Sequence, residues 1–182
     1  MIIANQLRTT NRAEYLLYLW QVEDIIRAFG CDADRIASEY LTHFTLTADE
    51  REQTKQWYAN LCEMMHTEGC TAKGHLRLSL NVLQELDELH HRLLASPHFP
   101  YYREMYYKVL PYIVELRHKG GNQSESELQI CFDALYGVVV LRLQGKEISP
   151  QTQQAVKDIS TLLGQLSDYY FKDEKEPLNW GE

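Results

Sequence analysis

Three Glu-x-x-His pairs stand out in the sequence: Glu63 with His66, Glu88 with His91, and Glu115 with His118. Asp87 with His90 is a variant of the same spacing. Residues three apart share one face of a helix, so both side chains can reach a single metal ion. In helical bundles, two such pairs and a carboxylate from each of two further helices hold a di-iron centre. That chemistry requires ligands that project into the core. Each helical residue turns by about 100°, so every pair can be set against the apolar stripe of its own segment. In the segment from Thr47 to Thr67 the stripe runs through Tyr58, Leu61 and Met65. Glu63 falls roughly 180° from it and His66 roughly 120°. Glu88 and His91 lie equally far from Leu86 and Leu93. Glu115 and His118 point away from Tyr106 and Ile113. All three pairs are expected on solvated faces, and neither metal nor cofactor is assigned.

Other polar residues fall on apolar sides. His90 shares the stripe of Leu86 and Leu93, as a half-buried histidine with a hydrogen-bond partner or as a ligand contact. Arg117 and Arg142 lie near the apolar sides of their helices, and Glu23 and Arg27 sit beside Leu16 and Trp20. A guanidinium in such a place needs a carboxylate, and Glu23, Asp24 and Asp133 are candidates. One outcome is an internal salt-bridge network, or arginine stems that cover apolar surface. The other is a pocket between helices in which Glu23, Arg27, His90, Arg117 and Arg142 hold a small anionic ligand. No catalytic residue is assigned, because no phosphate-binding glycine loop or G-x-S-x-G elbow occurs. Lys73-Gly74-His75 forms a polar, reachable loop that specifies no reaction.

The elements that must position these residues read as helices throughout. Residues 1–8 form a lead-in. Asn11 and Glu14 start a helix that ends at Gly30. Asp32 or Asp34 caps a short one to about His43. Thr47-Ala48-Asp49-Glu50 is a capping box for a helix to Thr67. A loop then leads into a helix from about Ser79 to Ala95. Tyr101 to Lys119 is a helix expected to bend at Pro111, which removes a backbone donor, and to stop at Gly120-Gly121-Asn122. Ser124 to Glu127 is a second capping box. It launches Leu128–Leu143, LQICFDALYGVVVLRL, the most apolar stretch of the chain. Leu128, Phe132, Leu135, Val139 and Leu143 make its main stripe, and Gly137 admits a close neighbour. Ser149-Pro150 opens the last helix, to about Phe171. The expected fold is all-α: one domain over 1–171, a bundle of six or seven helices around a central apolar helix near 125–144. Residues 172–182 form a charged, mobile tail in which Trp180 can dock.

The 182 residues suit one such core. The formal net charge of −8 argues against nucleic acid and against an anionic membrane. No apolar run is long enough to span a bilayer, and the start lacks a signal-peptide layout. Four cysteines without a C-x-x-C pair read as free thiols, with Cys131 in the core. A cytoplasmic protein is expected.

The segments EYLLYLWQVEDIIRAFG (14–30), KGHL (73–76), LPYIVELRHK (110–119) and CFDALYGVVVLRLQGKEIS (131–149) resemble an uncharacterised family of small bacterial proteins, a domain of unknown function. The resemblance covers nearly the whole chain. It implies a bacterial intracellular protein and carries over no activity, cofactor or site residue. Twelve tyrosines and three tryptophans suit protein interfaces. The first reading is therefore a non-enzymatic helical protein that acts through protein contacts, as a possible homodimer. The alternative is a helical enzyme or small-ligand binder built on the polar pocket above.

Overall fold

The computed structural model describes residues 2–120 and 124–181. Eight α-helices account for most of them, with no strand among the described residues. They are α1 (Ile2–Thr10), α2 (Arg12–Ala28), α3 (Ala33–Arg35), α4 (Ala48–Glu68), α5 (Arg77–Ala95), α6 (Pro100–Gly120), α7 (Glu127–Leu143) and α8 (Pro150–Lys175). The all-α expectation holds, with one helix more than expected: residues 2–10 are helical, although residues 1–8 read as a lead-in. The chain divides into two compact units, residues 1–10 with 14–82, and residues 11–13 with 83–182. The divisions fall at the end of α1 and inside α2 and α5.

In the first unit, Asp32 caps α3 by accepting from the backbone N–H groups of Asp34 and Arg35. The chain then widens into a π turn over Ile36–Tyr40 before a 3-10 turn over Leu41–His43. The wide turn has a packing reason. Ile36 and Leu41 are both fully buried. Regular α spacing would set residues five apart roughly 140° from each other, whereas the wider turn brings them towards one side. They join Val22, Ile26, Tyr58, Leu61 and Met65 in this unit's core. Thr47 and Glu50 form the expected capping box of α4. Gly69 ends that helix at φ 72°, a left-handed value that glycine tolerates without strain. Cys70 donates back to Met65 O at 3.0 Å. The segment after it is thereby directed towards α2.

In the second unit α6, α7 and α8 pack pairwise against one another. Helix α6 runs unbroken through Pro111. Its expected stop lies partly outside the described residues, since Gly121 and Asn122 are among those not described. The cap of α7 is Ser126, which accepts from Gln129 N at 3.1 Å, rather than Ser124. Ser149 caps α8 with Pro150 at its first position, as the sequence implies. Helix α8 continues to Lys175, so the expected boundary at residue 171 falls inside a helix. Beyond it, Arg92 lies 3.9 Å over the Trp180 ring, and Phe99 packs beside that ring. Arg12, at the start of α2, donates its backbone N–H to Ser167 Oγ at 2.7 Å.

Helix α7 departs from the symmetry of its sequence. Leu128, Ile130, Cys131, Phe132, Leu135 and Val138 are buried, but Val139, Val140 and Leu141 are only partly so. Leu143, expected on the main stripe, is 81 % exposed. Gly137 does not serve a close approach either: a Cβ there, or at Gly164 in α8, would meet nothing within 4 Å. Both positions are helical. Gly137→Ala and Gly164→Ala should each therefore stabilise the protein by about 0.5–1 kcal/mol, through the lost entropy of the unfolded chain. Urea denaturation checks this; a loss of stability at either position would show unseen crowding.

Candidate functional site

The first unit builds a polar constellation around Glu23, a carboxylate on α2 that is only 1 % exposed. It accepts from Ser79 Oγ at 2.6 Å and from Leu76 N at 3.2 Å, and His75 Nδ1 lies 2.7 Å away. Leu76 immediately precedes α5, so Glu23 places an anion at the N-terminus of a neighbouring helix, where unpaired N–H groups converge. Glu68 accepts from the next N–H, that of Arg77, at 2.6 Å. Arg27, one turn from Glu23, lies 3.7 Å from its carboxylate and 2.9 Å from Asp24. The same guanidinium donates to Cys70 O at 3.2 Å and to Gly74 O. The loop from Cys70 to Leu76 is thus fastened to α2 from both ends.

His75 is the accessible member. Its ring stacks on Trp20 with centroids 4.4 Å apart and planes 19° apart. Its side chain is 27 % exposed. An ionised carboxylate only accepts, so Nδ1 carries the hydrogen shared with Glu23. In the neutral ring that leaves Nε2 as an acceptor, in a ring whose orientation is set by the stack and the carboxylate. Such a nitrogen can accept a proton or a hydrogen bond, or ligate a metal. Among the described residues, no group of three or more His, Cys, Asp or Glu side chains could hold a metal ion.

The second unit holds a different polar cluster. His90, on α5, is 1 % exposed, and its Nδ1 lies 2.6 Å from the Tyr102 hydroxyl on α6. Its Nε2 lies 3.8 Å from the Glu127 carboxylate at the start of α7. Burial holds the imidazole well below its ordinary value of 6.5, at about 4, so the ring is neutral near pH 7. Burial and the hydrogen bond with Glu127 push the Tyr106 hydroxyl up to about 12. Burial likewise pushes the Cys131 thiol up to about 12. A buried imidazole held neutral in this way specifies packing more readily than it performs acid–base work near neutrality.

The sequence candidates therefore separate. Glu23 and Arg27 belong to the constellation of the first unit, and His90 to the cluster of the second. Arg117 is partly buried and donates to Glu125 O at 3.2 Å. Arg142, expected near the apolar side of α7, has an exposed side chain instead. Its suggested partners are engaged elsewhere: Asp24 with Arg27, and Asp133 with the Gln129 amide at 3.0 Å. The members of the Glu-x-x-His pairs are all exposed, as their helical phases required. His75, Ser79 and Trp20 were not candidates. The available signals were a carboxylate on the second apolar side of α2, and a histidine in the polar loop after Gly69.

The second unit also carries two grooves. One, of about 240 Å³, lies between α5 and α8 and is lined by Glu85, Glu88, Asp173, Glu174, Arg92 and Tyr170. The other, of about 200 Å³, lies between α6, α7 and α8 and is mainly apolar, with Leu116, Ala134, Val138, Ala155 and Val156 in its lining.

An all-helical chain with buried polar clusters, a part-exposed histidine held against one of them and a partly uncovered apolar helix defines a class of small helical proteins, not a reaction. The chain belongs to the family described as Domain of unknown function (DUF4924), which matches residues 1–177. No curated protein and no solved structure matches it. Among the described residues, no helix is long and apolar enough to cross a membrane.

Proposed function

We propose that this is a non-enzymatic, cytoplasmic protein of bacteria that acts by contact with another protein surface. The observation that carries the reading is the second half of α7. Single exposed apolar side chains are ordinary, but contiguous ones mark interaction surfaces. Here Val139, Val140 and Leu141 are part-exposed and lead to Leu143, which is 81 % exposed at the end of the helix. Cross-linking in cells that express the tagged chain tests this. A cross-linked species containing the wild-type chain, and lost with Leu143→Glu, is expected. No cross-linked species at all would sink the reading.

A second reading, a small-ligand site, is favoured by one feature: the part-exposed ring of His75, held by a buried carboxylate and stacked on a tryptophan. Native mass spectrometry of the purified chain should then show a bound small molecule that is absent from His75→Ala. Bare protein in both would remove this reading.

A further inference from the structure

We propose that residues 176–181 are an autoinhibitory strap, which occupies in cis a docking site for an extended protein segment with an aromatic anchor and a basic flank. The site is the corner between α5 and α6, in the second unit. It extends the protein-contact reading to a surface other than the end of α7 and does not depend on Leu143. The strap is held as a bound peptide is held. Its backbone leaves α8 extended, with Glu176 at φ −149° and ψ 119°. Trp180 is the anchor. The Arg92 guanidinium lies over its ring, 3.9 Å from the centroid, and the Phe99 ring centroid is 5.3 Å away. Main-chain groups fix the segment around that anchor. Leu178 donates its backbone N–H to Asp173 Oδ1 at 2.9 Å, and Trp180 O accepts from Ser96 Oγ at 3.2 Å. An aromatic side chain in a seat, flanked by main-chain hydrogen bonds, is a general mode of recognising extended peptides.

Two features suit the seat to a change of occupant. First, it is braced by contacts that do not involve the strap. Arg103, on α6, donates to Leu94 O at 3.3 Å and to Ser96 O at 2.6 Å. His98 N donates to Ser96 Oγ at 3.2 Å, and Phe99 packs on Tyr169 with ring centroids 5.2 Å apart. Second, the strap is held lightly. Glu176, Pro177, Asn179 and Gly181 are exposed, and the Arg92 side chain is 52 % exposed. Segments with few buried apolar contacts open at low cost. Charge names a better occupant than the strap itself. Arg92 and Asp173, which touch the strap, also line the groove between α5 and α8 together with Glu85, Glu88 and Glu174. The strap brings a further acid, Glu176, to the C-terminal end of α8, where the helix dipole favours a cation. A segment with an aromatic anchor and a lysine or arginine in that place keeps the anchor and replaces repulsion with attraction.

Fluorescence anisotropy on the purified full chain tests the proposal. The probe is a labelled synthetic peptide that copies residues 176–181 with Glu176→Lys. Trp180→Ala empties the seat in cis, and because Trp180 lies beyond α8 the helical circular dichroism should not change. The peptide should bind the Trp180→Ala chain about tenfold or more tightly than wild type, since a tethered strap competes at high effective concentration. Arg92→Ala, added to Trp180→Ala, should weaken that binding by about fivefold through loss of the cation–π contact. A peptide that retains Glu176 should bind about threefold more weakly at low salt. Equal binding to wild type and Trp180→Ala, or binding to neither, overturns the proposal. Equal affinity of the two peptides overturns the choice of a basic occupant. Neither result bears on the cross-linked species lost with Leu143→Glu, so the protein-contact reading stands or falls separately.

Discussion

Glu23→Ala should destabilise the protein by about 3–5 kcal/mol, the usual cost of removing one partner from a buried charged cluster. The side chain is 1 % exposed and satisfies Leu76 N, Ser79 Oγ and His75 Nδ1 together. Alanine leaves the Leu76 amide and the buried Ser79 hydroxyl without their acceptor, each at a cost of about 1–3 kcal/mol. Glu23→Gln should cost less. Its carbonyl still accepts from Leu76 or Ser79, and its amide can donate to Nδ1 of the other His75 tautomer. Urea denaturation measures the loss, and hydrogen exchange at Leu76 locates it. An alanine variant within about 1 kcal/mol of wild type would show that water replaces the carboxylate and that the loop is not anchored through it.

His90 should give the protein a steep acid limb. Its folded-state value lies near 4, against an ordinary 6.5, because burial disfavours the charged ring. The unfolded chain therefore takes up this proton first as the solution is acidified. Stability from the neutral ring is fully present above about pH 6.5 and is lost as pH falls towards 4. The difference is about 3 kcal/mol. Other groups face the ring: Asp87 and His91 on its own helix, Tyr102 and Tyr106 on α6, and Glu127 on α7. His90→Gln should shrink the fall in unfolding free energy between pH 7 and pH 4 by about that 3 kcal/mol. Equal falls in both proteins would show that the proton is taken up elsewhere.

Much of the scaffold was legible because helix signals are local. Thr47 with Glu50, Ser149 with Pro150, and Gly69 all mark ends that the structure confirms, since a cap depends on atoms within one turn. The outward phase of the Glu-x-x-His pairs was legible for a similar reason: it follows from the repeat of a single helix. Residues 2–10 were missed because they lack both caps and a sustained apolar stripe. The π turn was missed because Ile36 and Leu41 converge only once a core exists to receive them.

The candidate site was legible in part. Glu23 could be recognised as a carboxylate on an apolar side of α2, but His75, Ser79 and the Leu76 amide are about fifty residues away in sequence. Nothing local pairs them. The sequence by itself determined an all-helical chain, the places where most helices begin and end, and the outward face of each Glu-x-x-His pair. Only the tertiary structure decided that Glu23 anchors the loop before α5, that Arg142 faces solvent, and that Leu143 stays uncovered. Helical phase states where a side chain points. Burial depends on what stands opposite, and for the end of α7 neither α6 nor α8 supplies it.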